Sequence, residues 1–265
     1  MRRLKKELFT LNINNYEPGI TRLTYPLMHR YADKIGATFT VINKRKFPEW
    51  PIDYEKLQIF ELGREHGNDW NFYIDSDAII HPDFFDPTNH VSKDTVMHNG
   101  CDFASMRWSY DGYFLRDGRN IGSPNWLAIA SDWCLDLWHP LDDLTLPQAL
   151  ANIHPLKAEL ECTGRVGTEK DHLITDYACS RNIARFGLKF ETINNLIAKY
   201  DPTGGFLFHA YQISTKEKVP LLIHKLAEWR LLELPDLHDP DSCPICKTNQ
   251  LAAQEKESIK LKIPI

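Results

Sequence analysis

Asp75 and Asp77 stand one residue apart, directly behind the largely apolar run of DWNFYIDSDAII. Taking a charge out of water is costly unless something pairs with it. A strand that ends in two carboxylates therefore either delivers them to solvent or meets positive charge. Two carboxylates separated by one residue suit a single divalent cation, directly or through water. Hard cations take oxygen ligands, and Mn²⁺ or Mg²⁺ commonly bridges carboxylates to phosphates. A cation held in that way neutralises a departing diphosphate as a Lewis acid. Asp-Ser-Asp also occurs in solvated turns and caps, but the hydrophobic lead and the strand-end position favour a metal site.

A second pattern with ligand chemistry is LHDPDSCPICK, which holds His238, Cys243 and Cys246. A Cys-x-x-Cys turn supplies half of a tetrahedral Zn²⁺ site. His238 is a candidate third ligand, with His224 a further one, and zinc here would be a structural staple. Two free thiols in a proline turn fit the same residues. The other cysteines, Cys101, Cys134, Cys162 and Cys179, are scattered singly and form no disulfide framework.

Periodicity indicates the elements that carry these residues. LFTLNI reads as a strand, ITRLTYPLMHRYADKIG as an amphipathic helix stopped at Gly36, and ATFTVINK as a second strand. IDYEKLQIFELGREHG reads as a second helix, with Asp53 as N-cap and Gly67 past its end. WNFYIDSDAII is a third strand. This β-α-β-α-β alternation implies parallel strands with right-handed crossovers, and ligands bind beyond the carboxyl ends of such strands. Farther on, CDFASMRWS, NWLAIAS, LKFETI and GGFLFHAY read as strands. DWCLDLWHPL, EKDHLITDYACSRNIARFG and KVPLLIHKLAEWRLLEL read as helices. The expected class is α/β, a sheet flanked by helices. A soft boundary near Leu234 divides residues 1–234 from an appendage, 235–265.

The 265 residues are 43% hydrophobic and 25% charged, enough for a substantial core. A net charge of −5 argues against a protein that coats nucleic acid through phosphate contacts. No apolar run approaches the ~20 residues needed to cross a bilayer. The basic start MRRLKKELFTLNI lacks a long apolar core and a cleavage site. The expectation is a soluble, cytoplasmic chain with no membrane span.

DWNFYIDSDAIIHPDFF resembles the nucleotide-sugar glycosyltransferases of the GT-A fold, most closely the retaining α-galactosyl-, α-mannosyl- and xyloglucan α-xylosyltransferases. RYADKIGATFTVINK, YEKLQIFEL, NIGSPNWLAIASDWCLDLWHPL, EKDHLITDY and FLFHAY are similar to family segments in the same order. The resemblance implies a GT-A fold (an α/β, Rossmann-like mixed sheet flanked by helices), a nucleotide-diphosphate sugar as donor (a UDP-sugar above others) and Mn²⁺. It implies that Asp75 meets the donor ribose and the metal, that Asp77 ligates the metal and serves catalysis, and that His209 is the third ligand. Asn12 and Tyr16 would lie at the base and ribose, and Lys56 at a donor phosphate or at Asp75. Asn120, Gly122 and Ser123 would line the sugar pocket. Asp171, or Glu169, would face the reacting sugar. The sequence departs from the family after the histidine, where HAYQISTKEK carries Gln212 in place of a glycine. That leaves Lys216 or Lys218 to reach the diphosphate.

The implied reaction is glycosyl transfer with retention and no protein nucleophile. Inversion would need a base, for which Asp111 and Asp171 are candidates. Trp108, Tyr110 and Tyr113 suit an acceptor cleft for a carbohydrate, with modified DNA as a further acceptor class. Rival classes are a metal-dependent nucleotidyltransferase or phosphohydrolase and a non-catalytic sugar-binding module. The former would show a Gly-rich phosphate loop or more acids near the first strand, and LNINNYEPG has neither.

Overall fold

A computed structural model describes residues 2–99, 126–153, 173–201, 205–210 and 214–232. The segment after the basic start forms β1 (Lys6–Leu11), followed by α1 (Pro18–Ile35) and β2 (Ala37–Ile42). Pro18 opens α1, where a missing N–H costs nothing, and Gly36 closes it at φ 68°, a left-handed cap that glycine adopts without a Cβ penalty. A 3₁₀ helix (Ile52–Gln58) runs into α2 (Ile59–His66), then β3 (Trp70–Ile74) and β4 (Ala78–Ile80). Next come a one-turn 3₁₀ helix (Pro87–Asn89), β5 (Thr95–Asn99), β6 (Leu127–Ser131), a longer 3₁₀ helix (Asp132–Trp138) and α3 (Leu146–Ala151). The last elements are α4 (Ile174–Phe186), β7 (Lys189–Thr192), α5 (Ile193–Tyr200), β8 (Leu207–His209) and α6 (Thr215–Glu228).

The main sheet has the order β2-β1-β3-β6-β5-β7. Strand β6 is antiparallel to both of its neighbours, and the other pairings are parallel. The chain moves outward from β1 to β2, then returns past β1 to place β3 on its other side. That reversal opens a crevice at the carboxyl ends of β1 and β3, where the acidic turn lies. The α/β sheet flanked by helices is the class that the sequence pattern predicts, and its mixed pairing is what the family resemblance implies.

Strand alternation sorts the core into two layers. Phe9, Tyr73 and Ala128 face one way, onto Tyr54, Leu57, Trp138 and Cys179 of the 3₁₀ helices and α4. Their neighbours Leu8, Phe72 and Ile129 face the other, onto Tyr25, Met28 and Tyr31 of α1 and Ile193 of α5. A third cluster fastens α1 to α6 through Ile20, Leu23, Leu27, Leu222 and Leu226, with Ile79 of β4 between them.

Three sequence expectations need correction. The third strand does not run through to Ile80: it stops at Ile74, turns over residues 75–77, and resumes as β4 in a separate two-stranded sheet with β8. Backbone pairing explains the break, because Asp75 N–H donates to Trp126 O and Ala78 N–H turns back to Asp75 O. The second helix is two pieces, and Asp53 is not its N-cap. Pro51 precedes the 3₁₀ segment, and Asp53 instead accepts a hydrogen bond from Thr175 Oγ1 at 2.9 Å, joining that segment to α4. DWCLDLWHPL forms a 3₁₀ helix, its first turn capped by the Ser131 side chain. CDFASMRWS and the boundary near Leu234 lie outside the described residues.

Helix α2 packs on β3 through Gly63. A Cβ there would stand 2.7 Å from Asn71 Oδ1 and 3.0 Å from Leu135 Cδ1, and Asn71 is fully buried and bonded to Asn68. Overpacking of this kind costs about 1–3 kcal/mol, against about 1 kcal/mol gained in helix propensity. Gly63→Ala is expected to lower the urea midpoint of unfolding. A raised midpoint would show that the contact yields freely.

Candidate metal centre

The turn after β3 carries Asp75 and Asp77, and β8 brings His209 to them. Register fixes that meeting, because Ala78 is paired with His209 and Ala210 N–H donates to Asp77 O at 3.2 Å. His209 Nε2 lies 3.1 Å from Asp77 Oδ1 and 3.7 Å from Asp75 Oδ2. One ligand atom from each of the three lies within 4.8 Å of the others. Metal–oxygen bonds of about 2.1 Å place neighbouring ligands of an octahedral ion about 3 Å apart, so small side-chain adjustments close the set around one ion. Two carboxylates and a neutral imidazole form a donor set suited to Mn²⁺ or Mg²⁺. The residues fit the group that the sequence pattern implies.

Each carboxylate has its own ammonium. Lys56 Nζ lies 3.1 Å from Asp75 Oδ1 and 4.9 Å from the centre of the Tyr73 ring. Burial pushes the Lys56 ammonium down, but Asp75, then Asp53 and Asp176, hold it up to about 12. Tyr73 donates its hydroxyl to Asp75 Oδ1 at 2.5 Å. On the other side Lys218 of α6 contacts Asp77 Oδ2 and lies 3.4 Å from the Tyr16 hydroxyl. Burial and the nearby Asp77 charge raise the Tyr16 hydroxyl above its ordinary range. Among the described residues, Lys56 and Lys218 stand among the carboxylates of Asp53, Asp75, Asp77 and Asp176.

The turn itself is held from below. Ser76, between the two aspartates, donates its hydroxyl to Leu11 O at the end of β1. Its Oγ also lies 3.2 Å from Thr10 Oγ1 and 3.3 Å from the Tyr25 hydroxyl. Thr24 Oγ1 of α1 donates to Ser76 O at 2.7 Å. This buried hydroxyl cluster ties the turn to β1 and α1, so the carboxylates are positioned before any ligand arrives.

Several other sequence-predicted residues fall in the same crevice. Asn12 is buried at the end of β1, and its Oδ1 accepts the Tyr16 N–H at 2.7 Å. Its Nδ2 has no hydrogen-bond partner among the described residues. Tyr16 leans on α6, packed in the cluster that contains Phe208 and Val219. Lys216 lies apart from the carboxylates, exposed on α6. Two positions along a helix is more than half a turn, so only Lys218 faces the acids. His224 is on the same helix, 3.3 Å from Glu228. Asn120, Gly122, Ser123 and Asp171 lie outside the described residues, as do Glu169, Trp108, Tyr110, Asp111 and Tyr113. His238, Cys243 and Cys246 also lie outside them.

Sequence reading missed Tyr73, Ser76, Thr24, Asp53 and Asp176 as parts of the site. The first two sit inside the quoted motif, so their nearness to the acids was a usable signal. Thr24 and Asp176 carried none, because only packing of α1 and α4 brings them close.

No protein-family model matches the chain, and no curated protein sequence matches it. Among solved structures, the chain is similar to a glycosyltransferase involved in the glycosylation of the major capsid of PBCV-1. The identity is 12%, 83% of this chain and 100% of that chain are covered, and the TM-score is 0.47. It is similar to the galactosyltransferase LgtC in complex with donor and acceptor sugar analogs, at 11% identity, 84% and 99% coverage, and a TM-score of 0.42. It is also similar to the glycosyltransferase GlyE of Streptococcus pneumoniae TIGR4, at 10% identity and a TM-score of 0.35, covering 86% of this chain and 64% of GlyE. No helix among the described residues is long and apolar enough to cross a membrane.

Two outcomes follow for the turn. Thr24→Val leaves the Ser76 carbonyl without its buried donor, which costs about 1–3 kcal/mol. Thermal denaturation is expected to show a lowered midpoint, and an unchanged one would mean that the hydroxyl is idle. For Asp77, burial pushes the carboxyl up, but His209 and then Lys218 outweigh it and bring its pKa from 3.8 to about 2. A lowered folded-state pKa gives stability that is whole above about pH 4 and is lost as pH falls through about 2. The stability difference between the wild type and Asp77→Asn, measured by urea denaturation, is expected to shrink as pH falls below about 4.

Proposed function

We propose that this chain is a metal-dependent glycosyltransferase that takes a hexose or pentose from a nucleotide-diphosphate sugar, a UDP-sugar above others, and passes it to an acceptor hydroxyl with retention. The observation that carries the reading is the convergence of Asp75, Asp77 and His209 at the carboxyl edge of a mixed sheet. Lys56 and Lys218 stand on either side of them. The aromatic strand running into Asp-Ser-Asp-Ala supports the same reading through its family resemblance.

In this reading Asp75, Asp77 and His209 hold Mn²⁺, or Mg²⁺. When bound, the cation would supply Lewis-acid stabilisation of the diphosphate. The chain's own residues do the rest. Ser76 and Thr24 fix the turn, so little reorganisation is needed as charge develops. Lys56 pairs with Asp75 and orients it. Lys218, half-buried and borne on α6, is the ammonium placed to meet a phosphate oxygen. Asn12 offers its buried amide to the nucleotide, and Tyr16 braces the loop after β1 against Lys218. Departure of the nucleoside diphosphate breaks the anomeric C–O bond. The acceptor hydroxyl forms the new bond on the same face and passes its proton to the leaving phosphate. Asp171, Asn120, Gly122 and Ser123 remain the proposed lining of the sugar side. Acceptors are carbohydrate hydroxyls, with modified DNA as the further class. The proposed Zn²⁺ at His238, Cys243 and Cys246 would staple the 235–265 appendage and take no part in transfer.

Incubation with a panel of UDP- and GDP-sugars plus Mn²⁺ is expected to release nucleoside diphosphate slowly, through donor hydrolysis. UDP with Mn²⁺ is expected to raise the melting temperature, and ATP to leave it unchanged, because only a bound ligand stabilises by mass action. Asp77→Ala is expected to abolish turnover. Full turnover in that variant would overturn the metal-dependent reading, and stabilisation by ATP rather than UDP would favour the nucleotidyltransferase or phosphohydrolase class instead.

A further inference from the structure

We propose that Trp126 is a positioning residue of the metal centre that acts on two of its three ligands at once. The inference rests on the metal-centre reading above and extends it to a residue that touches no phosphate or cation. Leu127, the first residue of β6, is paired with Ile74, the last residue of β3. That register brings Trp126 level with Asp75, and its carbonyl accepts the Asp75 N–H at 2.8 Å. The same residue stacks its indole on the imidazole of His209, with ring centroids 5.1 Å apart and planes 22° from parallel.

Pairing of β8 with β4 fixes the backbone of His209 but leaves its two side-chain torsions to be set by neighbours. Nε2 must face both carboxylates at once, at 3.1 and 3.7 Å. A near-parallel indole confines the imidazole to the plane in which it does so. The stack has an electrostatic part as well. An imidazole that binds a divalent cation takes on positive character, and an aromatic face attracts it, tryptophan most strongly. The indole contact is therefore stronger in the metal-bound state, which turns a packing contact into a contribution to affinity. Trp126 is partly buried and packs beside the cluster that includes Phe72 and Ile74, so its ring is seated by the same sheet that seats Asp75.

The test is Mn²⁺ binding by the full chain, followed through the electron paramagnetic resonance signal of the free aquo ion. The variants are Trp126→Phe, Trp126→Leu and Trp126→Ala, with a melting temperature for each. Residues that orient metal ligands typically change affinity by 10- to 100-fold when altered. Trp126→Ala and Trp126→Leu are expected to weaken binding at least about 10-fold. Trp126→Phe, which keeps an aromatic face, is expected to stay within about 3-fold of the wild type. Leucine keeps apolar volume, so a merely structural role would make leucine and phenylalanine equivalent. Equal affinities for those two, or wild-type affinity in Trp126→Leu, would overturn the inference. If Trp126→Ala does not fold, the phenylalanine–leucine comparison decides alone. A wild type that binds no Mn²⁺ would overturn the metal-centre reading and this inference with it. Wild-type binding with unaltered variants would overturn only the role of Trp126.

Discussion

Two negative side chains at the end of a buried strand set the terms for the rest of this structure. Like charges so close repel, and partial burial makes each of them costly. The chain meets that cost from two distant places, with Lys56 on the segment before α2 and Lys218 on α6. Neither lysine is placed by local sequence alone. Lys56 is set by the packing of its 3₁₀ helix on the sheet, and Lys218 by the apolar cluster joining α6 to α1. Breaking a pair of this kind leaves an uncompensated charge in a poorly solvated spot, so the elements around the crevice are coupled through it.

Under this charge pairing lies a second constraint, that of shape. A turn bearing two metal ligands has to be stiff, or any cation pays to order it. Here the stiffness comes from hydroxyls. Ser76 is anchored to Leu11, near Thr10 and Tyr25, and its carbonyl is taken by Thr24. These groups satisfy one another inside the protein, away from water that would loosen them. The identity of the residue between the aspartates is therefore structural: a small hydroxyl side chain reaches down to β1 while its neighbours reach up.

The sheet and its first two crossovers were legible in the sequence because alternation and helical spacing report burial directly. LFTLNI, ATFTVINK and WNFYI could not be much else. The strand end at the aspartates was legible, but the separate strand β4 beyond it was not, since AII continues the apolar pattern although it belongs to a different sheet. Strand β5 and helix α5 escaped notice because TVMHN buries a histidine beside its apolar residues and INNLIAKY buries only Ile193. At the site, the aspartate pair announced itself by chemistry, and His209 by family resemblance. The choice between Lys216 and Lys218 needed the helix phase of α6, which a run of alternating lysine and glutamate does not disclose. Trp126 was one tryptophan among seven, and only strand register singled it out.

The pairing of β4 with β8 has a consequence for how the protein is made. Asp77 and His209 are 132 positions apart, and the short strand behind the aspartates has its hydrogen-bonding edge completed by a segment synthesised long afterwards. A ribosome that has released residues up to 200 has already produced every strand of the large sheet, yet not the histidine of the crevice. Until that stretch arrives, the Ile79–Ile80 edge lies open and Asp77 lacks both His209 and Lys218. An unpaired apolar edge of that kind is a template for mispairing during synthesis.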